Sequence, residues 1–228
     1  METVFERVSF SYGRTPALTE VSFAVPEGQT VALLGSNGAG KSTTVDLMLG
    51  LRKPAKGKVT VLGGRPEDAV AKGRVGAMLQ TGGLPADATV TDVVDLARRL
   101  YGKRRSLKEL LDLAGLTEVG NRKTDALSGG QKQRVRFAVA MAGQPDLLFL
   151  DEPTVAMDFR ARRQFWQAVK AQGKTVVFAT HYLDEADAYA DRVIVIDRGR
   201  VVAEGTPEQI KGDANLEDAL LELTEEGR

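Results

Sequence analysis

Apolar residues fall into short runs that alternate with stretches of helical spacing. Strands are predicted over residues 4–10, 21–25, 30–34, 58–62, 75–79, 147–150, 175–180 and 193–197. The last four are near-continuous runs of apolar residues, as expected of strands covered on both faces. Apolar positions three and four apart predict helices over 41–49, 90–100, 107–114, 130–142, 160–171 and 183–190. Strand–helix alternation of this kind predicts the α/β class, with a mostly parallel sheet and crossover helices. Residues 84–144 break the alternation, being helical with no convincing strand. They read as a helical subdomain inserted between two parts of one core, 1–83 and 145–212, with a helical tail over 213–228.

Composition narrows the picture. A chain of 228 residues supplies one sizeable core and at most a small subdomain. Lys plus Arg (31) balances Asp plus Glu (31), which argues against binding nucleic acid through bulk charge. There is no cysteine, so disulfides, thiolate metal sites and Cys nucleophiles are excluded. The first residues lack the basic-then-apolar pattern of a secretory leader. No apolar run approaches the ~20 residues that span a bilayer. The expectation is a chain that works on the cytoplasmic side, with any membrane crossing left to another chain.

Chemistry enters at Gly35-Ser36-Asn37-Gly38-Ala39-Gly40-Lys41-Ser42, a G-x-x-x-x-G-K-S phosphate loop between an apolar strand and a helix. Its backbone N–H groups suit phosphate oxygens, Lys41 adds a cation, and the Ser42 hydroxyl suits Mg²⁺. The strand 147–150 ends in Asp151 and Glu152, whose carboxylates need a reason at the edge of an apolar core. Asp151 suits the Mg²⁺ shell and Glu152 the attacking water; capping of a strand end is the plainer alternative. His181, the single histidine, ends the strand 175–180, where open α/β sheets bind ligands. There it would donate a hydrogen bond to a γ-phosphate. Gln80 ends another strand, either as a polar strand end or as a neutral contact to Mg²⁺ and water. Tyr12 suits stacking on an adenine or a half-buried turn. Finally, Leu127-Ser128-Gly129-Gly130-Gln131 opens a helix with a capping Ser and two glycines, a second place where backbone donors can approach an anion.

Tyr12, the phosphate loop, Gln80, the 127–131 segment, Asp151-Glu152, Asp158 and His181 follow one another in the order found in ATP-binding subunits of ABC transporters. The chain resembles that family from Tyr12 to about Leu223. The resemblance implies a phosphate-loop NTPase core with an N-terminal antiparallel β part. It implies ATP and Mg²⁺ as cofactors, with Tyr12, residues 35–43 (Thr43 included), Ser128, Gly129, Gly130, Gln131 and Asp158 on the nucleotide. Ser42, Gln80 and Asp151 would serve the metal, and Glu152, His181 and Gln80 catalysis. It further implies a head-to-tail homodimer, in which the phosphate loop of one copy and the 127–131 signature of the other close on one ATP. A separate membrane permease would be the second partner, at the cytoplasmic face of the membrane. Within the family, residues 180–187 and 215–224 look most like the daunorubicin-type drug exporters, which implies efflux of a small amphiphilic compound. A lipid or polysaccharide exporter, an importer, or a soluble assembly switch would use the same cassette. Where the commoner pattern has a small residue, Gly and Leu before the aspartate, this chain has Val155, Ala156 and Met157. Residues 81–85 are the candidate groove for the permease. Arg98, Arg99, Lys103, Arg104, Arg105 and Lys108 form either a solvated helix face or a contact to lipid head groups. Leu216, Ala219, Leu220 and Leu223 share one face of the tail, for packing on its own domain or for a dimer contact.

Overall fold

The computed structural model describes residues 2–79, 82–102 and 104–225. Gln80, Thr81 and Lys103 lie outside the described residues. The chain begins with the long strands β1 (Thr3–Tyr12) and β2 (Thr15–Val25), then β3 (Thr30–Leu34), α1 (Lys41–Met48), β4 (Lys56–Thr60) and α2 (Pro66–Ala71). Its middle holds β5 (Val75–Met78), α3 (Val90–Leu100), α4 (Leu107–Leu113), α5 (Gly129–Met141), β6 (Leu147–Asp151) and α6 (Phe159–Lys170). Then come β7 (Thr175–Ala179), α7 (Leu183–Tyr189), β8 (Arg192–Asp197), β9 (Arg200–Gly205), α8 (Pro207–Lys211) and α9 (Leu216–Glu225). Two compact units result: one runs up to Lys72 and resumes at Thr175, the other is Gly73–Lys174.

In the first unit, β2, β1 and β4 form an antiparallel sheet, with Phe5 opposite Phe23 and their rings stacked at 4.5 Å. β7, β3 and β8 run parallel, with Ala32 facing Phe178 on one side and Val193 on the other. Every residue of β3 and β7 is buried, and after an opening Thr each is an unbroken apolar run. β9 adds antiparallel to β8 through a two-residue turn, Arg198-Gly199. Both turn residues have positive φ, 45° and 74°, the geometry that suits a tight hairpin.

In the second unit β5 pairs parallel with β6. Residues 84–144 hold α3, α4 and α5, and no named strand among the described residues. Each of these helices starts with a reciprocal capping box: Thr89 with Asp92, Ser106 with Glu109, Ser128 with Gln131. The core of the unit is aromatic. Phe165 lies edge-on to Phe137 at 5.0 Å and to the fully buried Trp166 at 5.9 Å.

Predicted elements all occur, with ends shifted by a few residues. β9, α2 and α8 are additional. α2 and α8 have Pro in the first turn, a start signal, yet six and five residues carry too little periodicity to read. β9 went unread because its turn is Arg-Gly rather than Asn-Gly.

Candidate functional site

In the first unit the loop 35–40 leaves the buried end of β3 and opens α1. Gly40 caps that helix at φ 117° with no side-chain hydrogen bond, which leaves first-turn N–H groups for another acceptor. A Cβ on Gly35 would lie 2.0 Å from the carbonyl oxygen of Ile196, so only glycine fits where the loop passes β8. Lys41 Nζ donates to the carbonyls of Gly35 (2.6 Å) and Ser36 (3.0 Å), which holds the ammonium inside the loop. Ser36, Asn37, Gly38 and Ser42 are exposed, while Ala39, Gly40 and Thr43 are buried. The Tyr12 hydroxyl is 3.4 Å from Thr43 Oγ1, the Arg52 guanidinium lies over the Tyr12 ring at 4.6 Å, and the ring is 44% exposed. Tyr12 is therefore tethered to the first turn of α1.

Because β3 and β7 are parallel neighbours with Leu33 opposite Ala179, Gly35 and His181 leave the sheet at the same edge. Behind His181 the turn is fixed by Thr180: its Oγ1 accepts from Tyr182 N–H (3.0 Å) and contacts Glu185 (3.3 Å). A hollow of about 290 Å³ is lined by Gly35, Ser36, His181 and Leu183 and by Leu220 and Leu221 of α9. The sequence pattern of the tail identified a packing face, and Leu216 and Ala219 are indeed buried. It did not identify α9 as a wall beside His181.

In the second unit Ser128 caps α5, its Oγ accepting from Gln131 N–H (3.2 Å), while Gln131 Oε1 accepts from Ser128 N–H (3.0 Å). Gln131 thus closes the cap. Gly129 and Gly130 have a second reason to be glycine. A Cβ at 129 would sit 2.7 Å from the Ala156 Cβ, and one at 130 would sit 3.2 Å from the Ala156 carbonyl oxygen. The loop after β6 therefore packs on the signature. Asp151 ends β6 and Glu152 follows it, both half-buried. Glu152 has φ 48° and Ala156 φ 63°, left-handed conformations that cost a non-glycine residue energy. Ala156 holds the place that the commoner pattern gives to glycine, and is itself left-handed. The Glu152 carbonyl accepts from Gln133 Nε2 at 3.3 Å. Asp158 caps α6 through Ala161 N–H at 2.8 Å. The sequence reading missed Gln133, a buried amide one turn inside α5 that ties the signature helix to the Glu152 loop.

Gln80 falls outside the described residues. In the second unit a hollow of about 240 Å³ is lined by Met78, Gly82, Leu84, Arg136 and Val139, with Arg136 donating to the Gly82 carbonyl (2.8 Å). The described cations of the 98–108 run have partners within their unit. Arg98 and Arg99 pair with Asp95, Arg104 donates to the Gly143 carbonyl, Arg105 to Gln172 and Lys108 to Asp112. The Arg98 and Arg99 contacts hold the Asp95 carboxyl below the usual carboxylate range. Lys103 lies outside the described residues.

A phosphate loop on a parallel sheet, with a second capped, glycine-opened helix, defines an α/β nucleotide-binding protein of the phosphate-loop class. The family model for the ABC transporter matches residues 18–155, and the chain belongs to that family, as an ATP-binding cassette of the ATPase kind. It is 36% identical over 242 residues to the probable multidrug ABC transporter ATP-binding protein YbhF of Escherichia coli (strain K12), covering 97% of this chain and 42% of that protein. It is 37% identical over 213 residues to the Nod factor export ATP-binding protein I of Paraburkholderia xenovorans (strain LB400), covering 89% of this chain and 70% of that one. The chain thus spans less than half the length of the first relative. Among solved structures, a dimeric ATP-binding cassette in a post-hydrolysis state bound to ADP and Pi shares 28% identity. Its TM-score is 0.79, over 90% of this chain and 98% of that one. Among the described residues no helix is long and apolar enough to cross a membrane.

Proposed function

We propose that this chain binds and hydrolyses ATP between two head-to-tail copies, and that the cycle drives export of a small amphiphilic compound through a separate membrane permease at the cytoplasmic face. The observation that carries this reading is the presence of two glycine-rich helix starts in one chain, α1 after residues 35–40, with no side-chain cap, and α5 behind Ser128, Gly129 and Gly130. One ATP needs one of each. A two-fold dimer supplies both pairs at once, as the dimeric neighbour supports. The multidrug and Nod factor export names of the two relatives favour an exporter over an importer.

In this reading the loop N–H groups and Lys41 hold the β- and γ-phosphates, Thr43 lies beside them, and Tyr12 borders the base. The Ser42 hydroxyl, the Asp151 carboxylate and Gln80 are hard oxygen donors of the kind Mg²⁺ takes. Among the described residues no group of three or more His, Cys, Asp or Glu forms a cage of its own, so phosphate oxygens would complete the shell. Bound Mg²⁺ would neutralise charge that develops on the phosphates. Glu152 orients and accepts a proton from the attacking water, and its left-handed backbone fits a residue held for function. His181 donates to the γ-phosphate. Asp158 and the signature of the second copy complete the enclosure, and Gln80 links the site to the permease groove at 81–85.

Glu152→Gln tests the assignment. It should lower ATP turnover by at least about 100-fold, in line with the loss of a general base, and leave an ATP-bound dimer visible by size exclusion. Wild-type hydrolysis in this variant would sink the reading.

A further inference from the structure

Phe159 is the first residue of α6, immediately after Asp158, and at 80% exposure it is the most exposed large apolar side chain among the described residues. Its turn carries Arg160, Arg162 and Arg163 and no acidic residue. Cations at a helix N-terminus oppose the helix dipole, and the Asp158 carboxylate caps this same turn. It belongs to the signature face, because Ala156 of the same loop touches Gly129.

The first unit offers the complement. The hollow of about 290 Å³ beside the phosphate loop is walled by Leu183, Leu220 and Leu221, and Glu217 of the acidic first turn of α9 lies at its edge. That volume admits one large side chain. Gly35, Ser36 and His181 form its other side.

We infer that Phe159 of each copy docks into the α9–His181 hollow of a second copy of this chain, with Arg160 or Arg163 facing Glu217. The inference rests on the head-to-tail reading above, since only that arrangement lays the signature face on the phosphate-loop face. The occupant is a second copy because a two-fold axis repeats the knob and the hollow on both sides. Phe159 then anchors closure, and α9 is a docking wall rather than a tail packed for its own sake.

The chain has no cysteine, which permits a direct test. In the Glu152→Gln background, a Phe159→Cys copy and a differently tagged Leu221→Cys copy are mixed and mildly oxidised. An ATP-dependent disulfide between the two tags is expected, since such a bond needs Cα atoms within about 7 Å. Separately, Phe159→Ala should weaken ATP-dependent dimerisation at least about tenfold, as loss of a central aromatic anchor does. Phe159→Tyr should retain most of the affinity, and ATP binding by the monomer should not change. If the Glu152→Gln parent dimerises in ATP but the cysteine pair does not link and Phe159→Ala dimerises equally well, this inference falls and the dimer reading stands. If the parent forms no ATP-dependent dimer, both fall.

Discussion

The contact between the signature glycine and the loop after Glu152 can be tested by a double-mutant cycle on Gly129 and Ala156. An alanine at 129 would place its Cβ 2.7 Å from the Ala156 Cβ, both atoms being fixed directly to backbone. Comfortable carbon contact begins at roughly 3.5–4.0 Å, so the loop must move by about 1 Å. Such overpacking costs about 1–3 kcal/mol, offset by at most ~1 kcal/mol of helix propensity gained over glycine. Gly129→Ala should therefore destabilise the protein by about 1–2 kcal/mol in urea denaturation. Ala156 has φ 63°; Ala156→Gly relieves roughly 1–2 kcal/mol of left-handed strain and adds roughly 0.5–1 kcal/mol of chain entropy to lose. Alone it should range from neutral to about 1 kcal/mol stabilising. In the double variant the clash has no second partner, and Gly129→Ala becomes neutral or slightly favourable. The expected coupling is about 1–3 kcal/mol, within the range for residues in contact. Distant sites add within ~0.3–0.5 kcal/mol; additivity at that level here would refute the packing of this loop on the signature.

Ser128→Arg should leave nucleotide affinity of the monomer within about threefold while cutting turnover more than tenfold, because the signature serves another copy's ATP; parallel loss of binding and turnover would contradict that. Lys41→Ala removes the cation that now donates to Gly35 and Ser36 and should abolish measurable ATP binding by fluorescent-nucleotide titration; retained affinity would count against the phosphate-loop role. Acid should expose the capping boxes. The Thr89 side chain, then its backbone N–H, holds the Asp92 carboxyl below its ordinary pKa, so its contribution is full above the unfolded value and fades as pH falls through the folded one. The stability gap between wild type and Thr89→Ala should accordingly narrow between about pH 5 and 3; a gap that stays constant would disprove the linkage.

Legibility followed the range of the interaction. β3 and β7 were readable because strands buried on both faces are apolar along nearly their whole length. Val90–Leu100 was readable to the residue because Thr89 and Asp92 are three apart and announce the start. Residues 35–42 and 127–131 were readable as loop-to-helix starts because a few consecutive residues carry the whole signal. Gln131 was placed on the nucleotide from the motif, yet its amide closes the Ser128 cap, a use as local as the motif itself. Gln133 and Ala156 could not be read, since their partners lie 19 and 27 residues away and nothing in spacing links them.

By itself, then, the sequence determined the class, the order of elements and the two glycine-rich helix starts, because periodicity, capping and glycine-rich loops are short-range. Only the tertiary structure decided that His181 and Gly35 share one sheet edge, that α9 walls the hollow beside them, and that the 152–158 loop rests on the signature with Ala156 held left-handed. Those facts depend on strand register and on which surfaces touch, and contacts between residues far apart in the chain leave no periodic trace in it.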